Sequence, residues 1–293
     1  MATQSLVVTP LIVIVGPTAS GKTALAIELA EQFDGEIICA DSRTVYRGMD
    51  IGTAKPTAAE RMRVPHWGLD LIEPGEKFSA ADFKGYAVQK IDEIRFRGHV
   101  PFLVGGTGLY IDGVIFDYQF GPLANPARRQ ELEQLSIEAL QAYCNSNNII
   151  LPENSKNKRY LIRAIEQNTK SLSRKSTPLS TSIIVGIATD RDELRTRIIT
   201  RAEQLFKDGV VQEATILGKK YGWENEAMTG NVYPLVRSYL ESRITLQEMK
   251  DKYTTLDWRL AKRQLTWFRR NPHIHWLSPL EAKQYIAQTL ANE

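Results

Sequence analysis

Short apolar runs alternate with longer segments of helical periodicity over the first part of the chain. The apolar runs lie at residues 11–15, 36–39 and 101–104, and each has the length of a strand. Residues 24–33 and 80–97 place apolar side chains at helical spacing. Strands that alternate with helices in this way predict an α/β fold with a parallel sheet.

The pattern changes after about residue 121, where helical and loop segments replace strands. Asn125, followed by proline, predicts the start of a helix that runs to about Tyr143. Residues 156–167 predict a short basic helix. Residues 183–187 form a further apolar run, which we expect to return to the first sheet.

These segments divide the chain into two predicted domains. Residues 1–120 and 182–293 make an α/β core with C-terminal helices, and residues 121–181 make a helical insertion domain. Helical spacing predicts the later helices at 190–208, 210–220, 233–240, 245–253 and 257–270.

The composition is that of a folded protein of ordinary polarity. Of the 293 residues, 43% are hydrophobic and 24% are charged, which excludes global disorder. The sequence has no apolar run that approaches the roughly 18 residues of a membrane span. Cys39 and Cys144 lie in no CxxC or Cys/His cluster, which disfavours a disulfide framework or zinc site and indicates a cytoplasmic protein.

Charge is distributed unevenly along the chain. Residues 1–153 carry 13 Lys and Arg against 19 Asp and Glu, whereas residues 154–293 carry 24 against 15. The charge alone indicates either contact with a polyanion or a solvated surface. Residues 258–270 carry five basic side chains and no acidic one, which favours contact with phosphates. On a helix, this segment is predicted to have an apolar face made of Trp258, Ala261, Leu265 and Phe268.

Residues 16–23 match the phosphate-loop pattern GxxxxGK[ST] between a strand-like run and a helix, which is the context that this motif requires. Backbone N–H groups of such a loop and the N-terminus of the following helix bind phosphate. Lys22 is placed to reach the terminal phosphates and Thr23 to bind Mg²⁺. The predicted diphosphate-binding residues are Gly16, Pro17, Thr18, Ala19, Ser20, Gly21, Lys22 and Thr23.

The phosphate loop predicts a ligand that carries a diphosphate. It does not by itself predict a nucleoside triphosphatase. A kinase or ATPase usually has a second strand that ends in a Mg²⁺-binding aspartate. Asp41 follows the strand-like run 36–39, and it is either such a ligand or the base for a nucleophile.

Several motifs, taken together, resemble the tRNA dimethylallyltransferases, also called tRNA isopentenyltransferases. They are the phosphate loop, DSRTVYRGMDIGTAKP at 41–56, GGTGLY at 105–110, NKRYLIRAIE at 157–166, LRTRIITR at 194–201 and AKRQLTWFR at 261–269. They occur in the family's order. The resemblance implies a P-loop-type parallel sheet core flanked by helices. It also implies transfer of a dimethylallyl group from dimethylallyl diphosphate to N6 of adenosine 37, just 3′ of the anticodon, in tRNAs that read U-initial codons.

The resemblance assigns roles to four residues. Lys22 and Arg197 would stabilise the diphosphate leaving group together with Mg²⁺. Asp41 would be the general base, because the adenine amine is a weak nucleophile that must lose a proton. Thr107 matches a family position near both substrates.

The resemblance also implies a tRNA anticodon stem-loop as the partner of a monomeric enzyme. The implied tRNA-binding residues are Asp41, Ser42, Arg43, Thr44, Thr107, Arg129, Asn157, Lys158, Arg159, Arg163, Lys262, Arg263, Gln264 and Arg269. The chain departs from the family pattern at Thr44, where most relatives have Gln, at Trp67, where they commonly have His, and over residues 228–234, where a basic residue is replaced. These departures concern tRNA contacts and not the chemistry.

Three alternatives share part of this pattern. An isopentenyltransferase of free adenine nucleotides would share the phosphate loop, Asp41 and Thr107, but would not need the basic insertion or the basic helix. A P-loop kinase of a small metabolite would phosphorylate with ATP. A non-catalytic RNA-binding protein would keep only a vestigial loop, and the intact Lys22, Asp41 and Thr107 speak against it.

Overall fold

The fold is described from a computed structural model of the chain. The structure describes residues 9–121, 125–167 and 174–291. The chain divides into two compact units, a core unit (Met1–Ile115 with Thr177–Glu293) and an insertion unit (Phe116–Ser176). The sequence analysis places the corresponding boundaries at 120/121 and 181/182.

The core unit is built on a parallel sheet, as predicted. Its strands are β1 (Leu11–Val15), β2 (Gly35–Ala40), β3 (His66–Trp67), β4 (Val100–Gly105), β5 (Ser182–Ile187) and β6 (His275–Leu277). Within the described residues these form one six-stranded sheet in the order β3-β2-β4-β1-β5-β6, with every neighbouring pair parallel. β5 lies beside β1, with Ser182 opposite Leu11, so the predicted return of this segment to the first sheet is confirmed.

Helices flank the sheet and make up the insertion unit. The core unit contains α1 (Lys22–Gln32), α2 (Ala58–Arg63), α3 (Ala80–Phe96), α4 (Gly108–Ile115), α8 (Arg191–Lys207), α9 (Val210–Tyr221), α10 (Tyr233–Leu240), α11 (Leu246–Phe268) and α12 (Pro279–Ala291), with a short 3-10 helix at Glu226–Thr229. The insertion unit contains α5 (Pro126–Gln134), α6 (Ile137–Ser146) and α7 (Lys158–Gln167). In the described part of the chain, no helix combines the length and the apolar character that a membrane crossing requires.

The centre of the core unit is the sheet itself. All five residues of β1 are buried, and Ile12 and Ile14 belong to one hydrophobic cluster with Leu25 and Leu29 of α1 and Ile286 of α12. A strand with neighbours on both sides and helices against it is apolar throughout. The phosphate loop that follows β1 therefore starts from a rigid base.

The insertion unit differs from its prediction in one respect. The helix predicted from Asn125 to about Tyr143 is wrong in extent, because two helices, α5 and α6, occupy this segment. Ser136 starts the second one, and its hydroxyl accepts the backbone N–H of Ala139 at 3.2 Å. The break lets Leu132 of α5 and Leu140 of α6 pack in the same buried cluster.

In the core unit, one continuous helix is found where two separate helices are predicted. The sequence analysis separates helices at 245–253 and 257–270, whereas the structure has the single helix α11. The β-branched pair between them does not interrupt the helix, and the Thr254 and Thr255 hydroxyls each donate to the carbonyl four residues earlier at 3.0 Å. The continuous helix spans 23 residues and carries its basic C-terminal half to the site described next.

Candidate active site at the carboxyl edge of the sheet

The phosphate loop connects the end of β1 to the start of α1. Ala19 and Gly21 both have positive φ, of 62° and 88°, which turns successive backbone N–H groups toward one concave side. A Cβ atom at Gly16 would lie 2.8 Å from Ser20 Oγ, so the loop closes tightly there. Ser20 Oγ is buried and has no hydrogen-bond partner among the described residues. The loop and the N-terminus of α1 form a site for an anion.

The amine of Lys22 lies over this loop. Its Nζ donates to the carbonyl oxygen of Pro17 at 3.1 Å. Burial, with a smaller contribution from the positive charge of Arg201, lowers the pKa of Lys22 to about 8, while the carboxylate of Asp41 acts in the opposite direction. A bound anion would raise this pKa, because it stabilises the charged amine.

Two arginines on α8 reach the loop from the side. Arg197 Nη1 donates to the carbonyl oxygen of Ser20 at 3.1 Å, and its Nη2 donates to Glu193 at 2.6 Å. Arg201 Nη1 donates to the Thr18 hydroxyl at 2.8 Å, while its Nε is buried without a partner among the described residues. Because the two arginines are four residues apart, they share one face of α8.

Asp41 and Thr107 follow the ends of β2 and β4, the two strands on one side of β1. The Thr107 hydroxyl accepts the backbone N–H of Ser42 at 3.0 Å, and the Thr107 N–H donates to the Ala40 carbonyl at 3.2 Å. Asp41 Oδ1 accepts the backbone N–H of Arg43 at 2.7 Å, which orients the carboxylate. The predicted base, the turn threonine and the phosphate loop thus lie at one edge of the sheet, where ligands of parallel sheets bind.

The basic helix α11 borders this edge. Ala261 and Phe268 are buried, and Trp258 and Leu265 pack against the cluster that contains Ala261, so the predicted apolar face is confirmed. Polar side chains on the same helix contact the site. Gln264 bonds the backbone of Thr18 and of Gly106, and the Trp267 indole donates to Asp112 at 2.8 Å. The exposed basic side chains include Arg259, Lys262 and Arg263 on α11 and Arg269 directly after its last residue.

Comparison with known proteins decides the family. The IPP transferase family model matches residues 44–271, and the isopentenyl transferase family model matches residues 9–65. The chain belongs to the IPP transferase family. The family resemblance seen in the sequence motifs is thereby confirmed.

Relatives of known name cover nearly the whole chain. The tRNA dimethylallyltransferase of Roseiflexus sp. is 42% identical over an alignment of 283 residues, and the match covers 90% of this chain and 92% of that protein. The tRNA dimethylallyltransferase of Acetivibrio thermocellus is 39% identical over an alignment of 284 residues, and the match covers 91% of each protein.

Solved structures agree with this assignment. The full-length tRNA isopentenylpyrophosphate transferase of Bacillus halodurans matches with a TM-score of 0.74 at 36% identity, over 97% of both chains. A eukaryotic dimethylallyltransferase acting on tRNA matches with a TM-score of 0.79 at 22% identity, over 92% of this chain and 73% of that one, which shows a shared fold. The predicted α/β class is confirmed.

The residues that the IPP transferase resemblance assigned to tRNA fall into two groups in the insertion unit. Arg129 donates from Nε and Nη2 to the two oxygens of Glu166, both at 2.9 Å, and Arg163 donates to the same carboxylate at 3.3 Å. The Glu166 side chain is only 4% exposed, so this ion pair ties α5 to α7. Lys158 donates to the Glu133 carbonyl at 2.6 Å. The second group, Asn157 and Arg159, is exposed.

The residues at which this chain departs from the IPP transferase pattern make specific contacts in the structure. Thr44 is buried, and its hydroxyl donates to the Asp41 carbonyl at 3.3 Å. Arg43 beside it donates to the Glu226 carbonyl and to the Thr229 hydroxyl, both at 3.2 Å. The guanidinium of Arg43 therefore holds the segment after β2 against the 3-10 helix.

Trp67, the second departure, is the last residue of the edge strand β3. Its indole N–H donates to the buried Glu36 at 2.6 Å, and Lys90 Nζ lies 4.4 Å from its ring centroid. In the third departure, residues 228–234, Met228 and Tyr233 are buried, and the Tyr233 hydroxyl donates to Glu213 at 2.9 Å. Pro234 occupies the first turn of α10, where a missing N–H costs nothing.

Sequence reasoning did not assign a role to Arg201, which the structure places on the phosphate loop. The available signal is the spacing of four residues between Arg197 and Arg201, which on a helix directs both side chains to the same surface. The motif therefore contributes two arginines to the loop.

Proposed function

We propose that this protein transfers the dimethylallyl group of dimethylallyl diphosphate to N6 of adenosine 37 in tRNAs that read U-initial codons, giving N6-isopentenyladenosine. One observation carries the proposal. The phosphate loop follows β1 and Asp41 follows β2, so both lie at the carboxyl edge of one parallel sheet. A diphosphate and a proton acceptor are the two features that N-alkylation by an allylic diphosphate requires.

The phosphate loop and α8 bind the diphosphate and stabilise it as the leaving group. The bond between C1 of the allyl group and the diphosphate oxygen breaks, and its electron pair leaves with the diphosphate. Lys22, the loop N–H groups, Arg197 and Arg201 are positioned to stabilise the negative charge that develops there. Fixed donors of this kind act without reorganisation during the reaction.

The adenine side falls to Asp41. As C1 bonds to N6, the amine loses a proton, which the Asp41 carboxylate accepts. The hydrogen bond from the Arg43 N–H fixes Asp41 Oδ1, and the contact between Thr107 and Ser42 fixes the segment that carries it. The target base must leave its stack to reach this edge.

Mg²⁺ fits the residues present as a partner of the diphosphate. Within the described residues no group of three or more acidic, His or Cys side chains forms a complete cage. Mg²⁺ commonly takes one or two protein oxygens and completes its shell with phosphate oxygens and water. Thr23 would supply the hydroxyl, and the ion would supply charge that stabilises the leaving diphosphate. Chelation by EDTA is expected to stop transfer, and added Mg²⁺ to restore it.

The RNA side of the proposal is an anticodon stem-loop bound by a monomer in the cytoplasm. Recognition of such RNA rests mainly on phosphate contacts and shape, with few bases read directly. Ser42, Arg43, Thr44 and Thr107 are at the edge where the base would enter. The exposed basic residues proposed to contact phosphates are Arg159 in the insertion unit and Lys262, Arg263 and Arg269 in the core unit. Within the insertion unit, Asn157 and Lys158 precede Arg159, and Arg129 and Arg163 hold Glu166.

An allyl-transfer assay tests the proposal. Purified protein, Mg²⁺ and labelled dimethylallyl diphosphate are mixed with bulk bacterial tRNA in one reaction and with AMP in another. We expect label in tRNA alone, and its loss in Asp41→Asn, which keeps the shape and removes the base. Label only in AMP would support a free-nucleotide enzyme. No label in either reaction would overturn the proposal.

A further inference from the structure

The side chain of Gln264 joins two parts of the site that are distant in sequence. Its Oε1 accepts the backbone N–H of Thr18 in the phosphate loop at 2.8 Å, and its Nε2 donates to the carbonyl oxygen of Gly106 at 3.1 Å. Protein backbone therefore holds the amide group at both of its ends. The IPP transferase resemblance assigned Gln264 to tRNA, but the structure directs its polar atoms inward.

The turn after β4 has no space for side chains where it meets α11. A Cβ atom at Gly106 would lie 2.3 Å from Gln264 Nε2, and a Cβ atom at Gly108 would lie 2.2 Å from the Trp267 ring. Neither glycine has a positive φ, so close packing is what these positions require. α11 thus contacts the turn directly through two side chains about one helical turn apart.

Hydrogen bonds continue on both sides of Gln264. Thr18 is 6% exposed, and its hydroxyl is held by Arg201 while its N–H is held by Gln264. On the other side, Thr107 follows the bonded Gly106 and accepts the Ser42 N–H. A continuous series of contacts therefore links the phosphate loop to the segment that follows β2.

We propose that Gln264 is a positioning residue for the transfer reaction. By bridging the phosphate loop and the turn that carries Thr107, it sets the distance between the leaving group and the Asp41 side of the site. This inference rests on the proposed function, because that function gives the two parts their roles. Its neighbours Lys262 and Arg263 are exposed and serve RNA binding, so adjacent positions on α11 have different tasks.

Three variants probe the bridge. Gln264→Met keeps the length of the side chain and removes both hydrogen bonds. Gln264→Glu keeps an acceptor for Thr18 but sets a carboxylate oxygen against the Gly106 carbonyl. Gly106→Ala leaves Gln264 intact and displaces its amide from the other side. Thr266→Ala, exposed on the same helix, is the matched control.

The readouts are the single-turnover transfer rate at saturating substrates, the Kd for tRNA, and the Kd for magnesium pyrophosphate. We expect the three bridge variants to lose about 10- to 100-fold in transfer rate, since misplacing reacting groups by about 1 Å has effects of that size. Their tRNA affinity should equal that of the wild type. Thr266→Ala should match the wild type in all three readouts.

One result would overturn the inference. If the Gln264 variants bind tRNA more weakly and transfer at the wild-type rate once saturated, Gln264 is an RNA contact. Gly106→Ala disturbs the same bridge while Gln264 itself is unchanged. A loss of transfer rate in this variant therefore cannot come from a missing contact between Gln264 and RNA. A wild-type protein that labels no tRNA would instead overturn the proposed function, and the two failures are therefore distinct.

Discussion

The hydroxyl of Thr107 accepts the backbone N–H of Ser42 at 3.0 Å, which joins the turn after β4 to the segment after β2. The two strands approach so closely here that a Cβ atom at Gly105 would lie 2.1 Å from the Ala40 carbonyl oxygen. Ala40 and Ser42, the two residues that flank Asp41 in the sequence, are both hydrogen-bonded to Thr107, and these contacts fix the segment that carries Asp41. The position of the proposed base thus depends on a threonine hydroxyl and on a glycine.

Replacing that hydroxyl tests its contribution. Thr107→Val keeps the shape but leaves the Ser42 N–H without its acceptor, and a lost hydrogen bond of this kind costs about 1–3 kcal/mol. We expect kcat for tRNA prenylation to fall by about 10- to 100-fold, as that energy implies. Thr107→Ser, which restores the acceptor, should recover most of the loss. Equal rates for the valine and serine variants would contradict this account.

The two arginines on α8 should contribute unequally. Arg201 has a buried Nε with no partner among the described residues, whereas the Arg197 side chain is 37% exposed and is shared with Glu193. Loss of one fixed donor to a developing anion costs about 10²- to 10³-fold in kcat. We expect that loss for Arg201→Met and a smaller one for Arg197→Met, because solvent and the ion pair screen Arg197. If Arg197→Met lowers kcat more than Arg201→Met does, Arg197 is the more important donor and this prediction is wrong.

The lowered pKa of Lys22 predicts a pH dependence of diphosphate binding. The free protein loses the Lys22 proton near pH 8, while the bound anion favours the charged amine and raises its pKa. Affinity is therefore highest below about pH 8 and falls as pH rises through that value, by up to about tenfold per pH unit. Calorimetric titration with magnesium pyrophosphate from neutral to alkaline pH measures this fall. Lys22→Met should bind magnesium pyrophosphate more weakly, and its affinity should not fall in this pH range. If the affinities of the wild type and the variant fall in parallel as pH rises, Lys22 is not the source of the pH dependence.

The ion pair in the insertion unit predicts a structural role for Arg129. Arg129→Met leaves the nearly buried Glu166 with Arg163 as its one remaining ion-pair partner among the described residues, and the expected loss is about 1–3 kcal/mol because Arg129 itself is partly exposed. Hydrogen–deuterium exchange in the absence of RNA measures it as weaker amide protection in α7. Gln130→Ala, on the exposed surface of α5, is the control. Unchanged protection together with weaker tRNA binding would return Arg129 to a direct RNA contact.

The parts of the site that are predictable from sequence are those with local signals. The phosphate loop is a contiguous motif after an apolar strand, and Asp41 and Thr107 follow strand-like runs directly. Parallel strands with adjacent carboxyl ends bring such residues together. The edge strands β3 and β6 have two and three residues, which is too short to show a period, so the sequence pattern does not reveal them.

The remaining parts depend on contacts between distant segments. Arg201 meets Thr18 across 183 residues of sequence, and Gln264 meets it across 246. No local pattern encodes these pairs, and the family resemblance assigned Gln264 to tRNA together with its basic neighbours. Trp67 is a similar case, since its partner Glu36 is on the neighbouring strand and only the fold brings them together.

The reaction proposed for this site is the alkylation of the exocyclic amine of one adenosine. Two synthetic anticodon stem-loops test it most directly. One carries adenosine at the position 3′ of the anticodon, and the other carries inosine there, which lacks the N6 amine and is otherwise closely similar. With labelled dimethylallyl diphosphate and Mg²⁺, the account predicts label in the adenosine stem-loop alone. Equal label in both stem-loops, or label in neither, would contradict it.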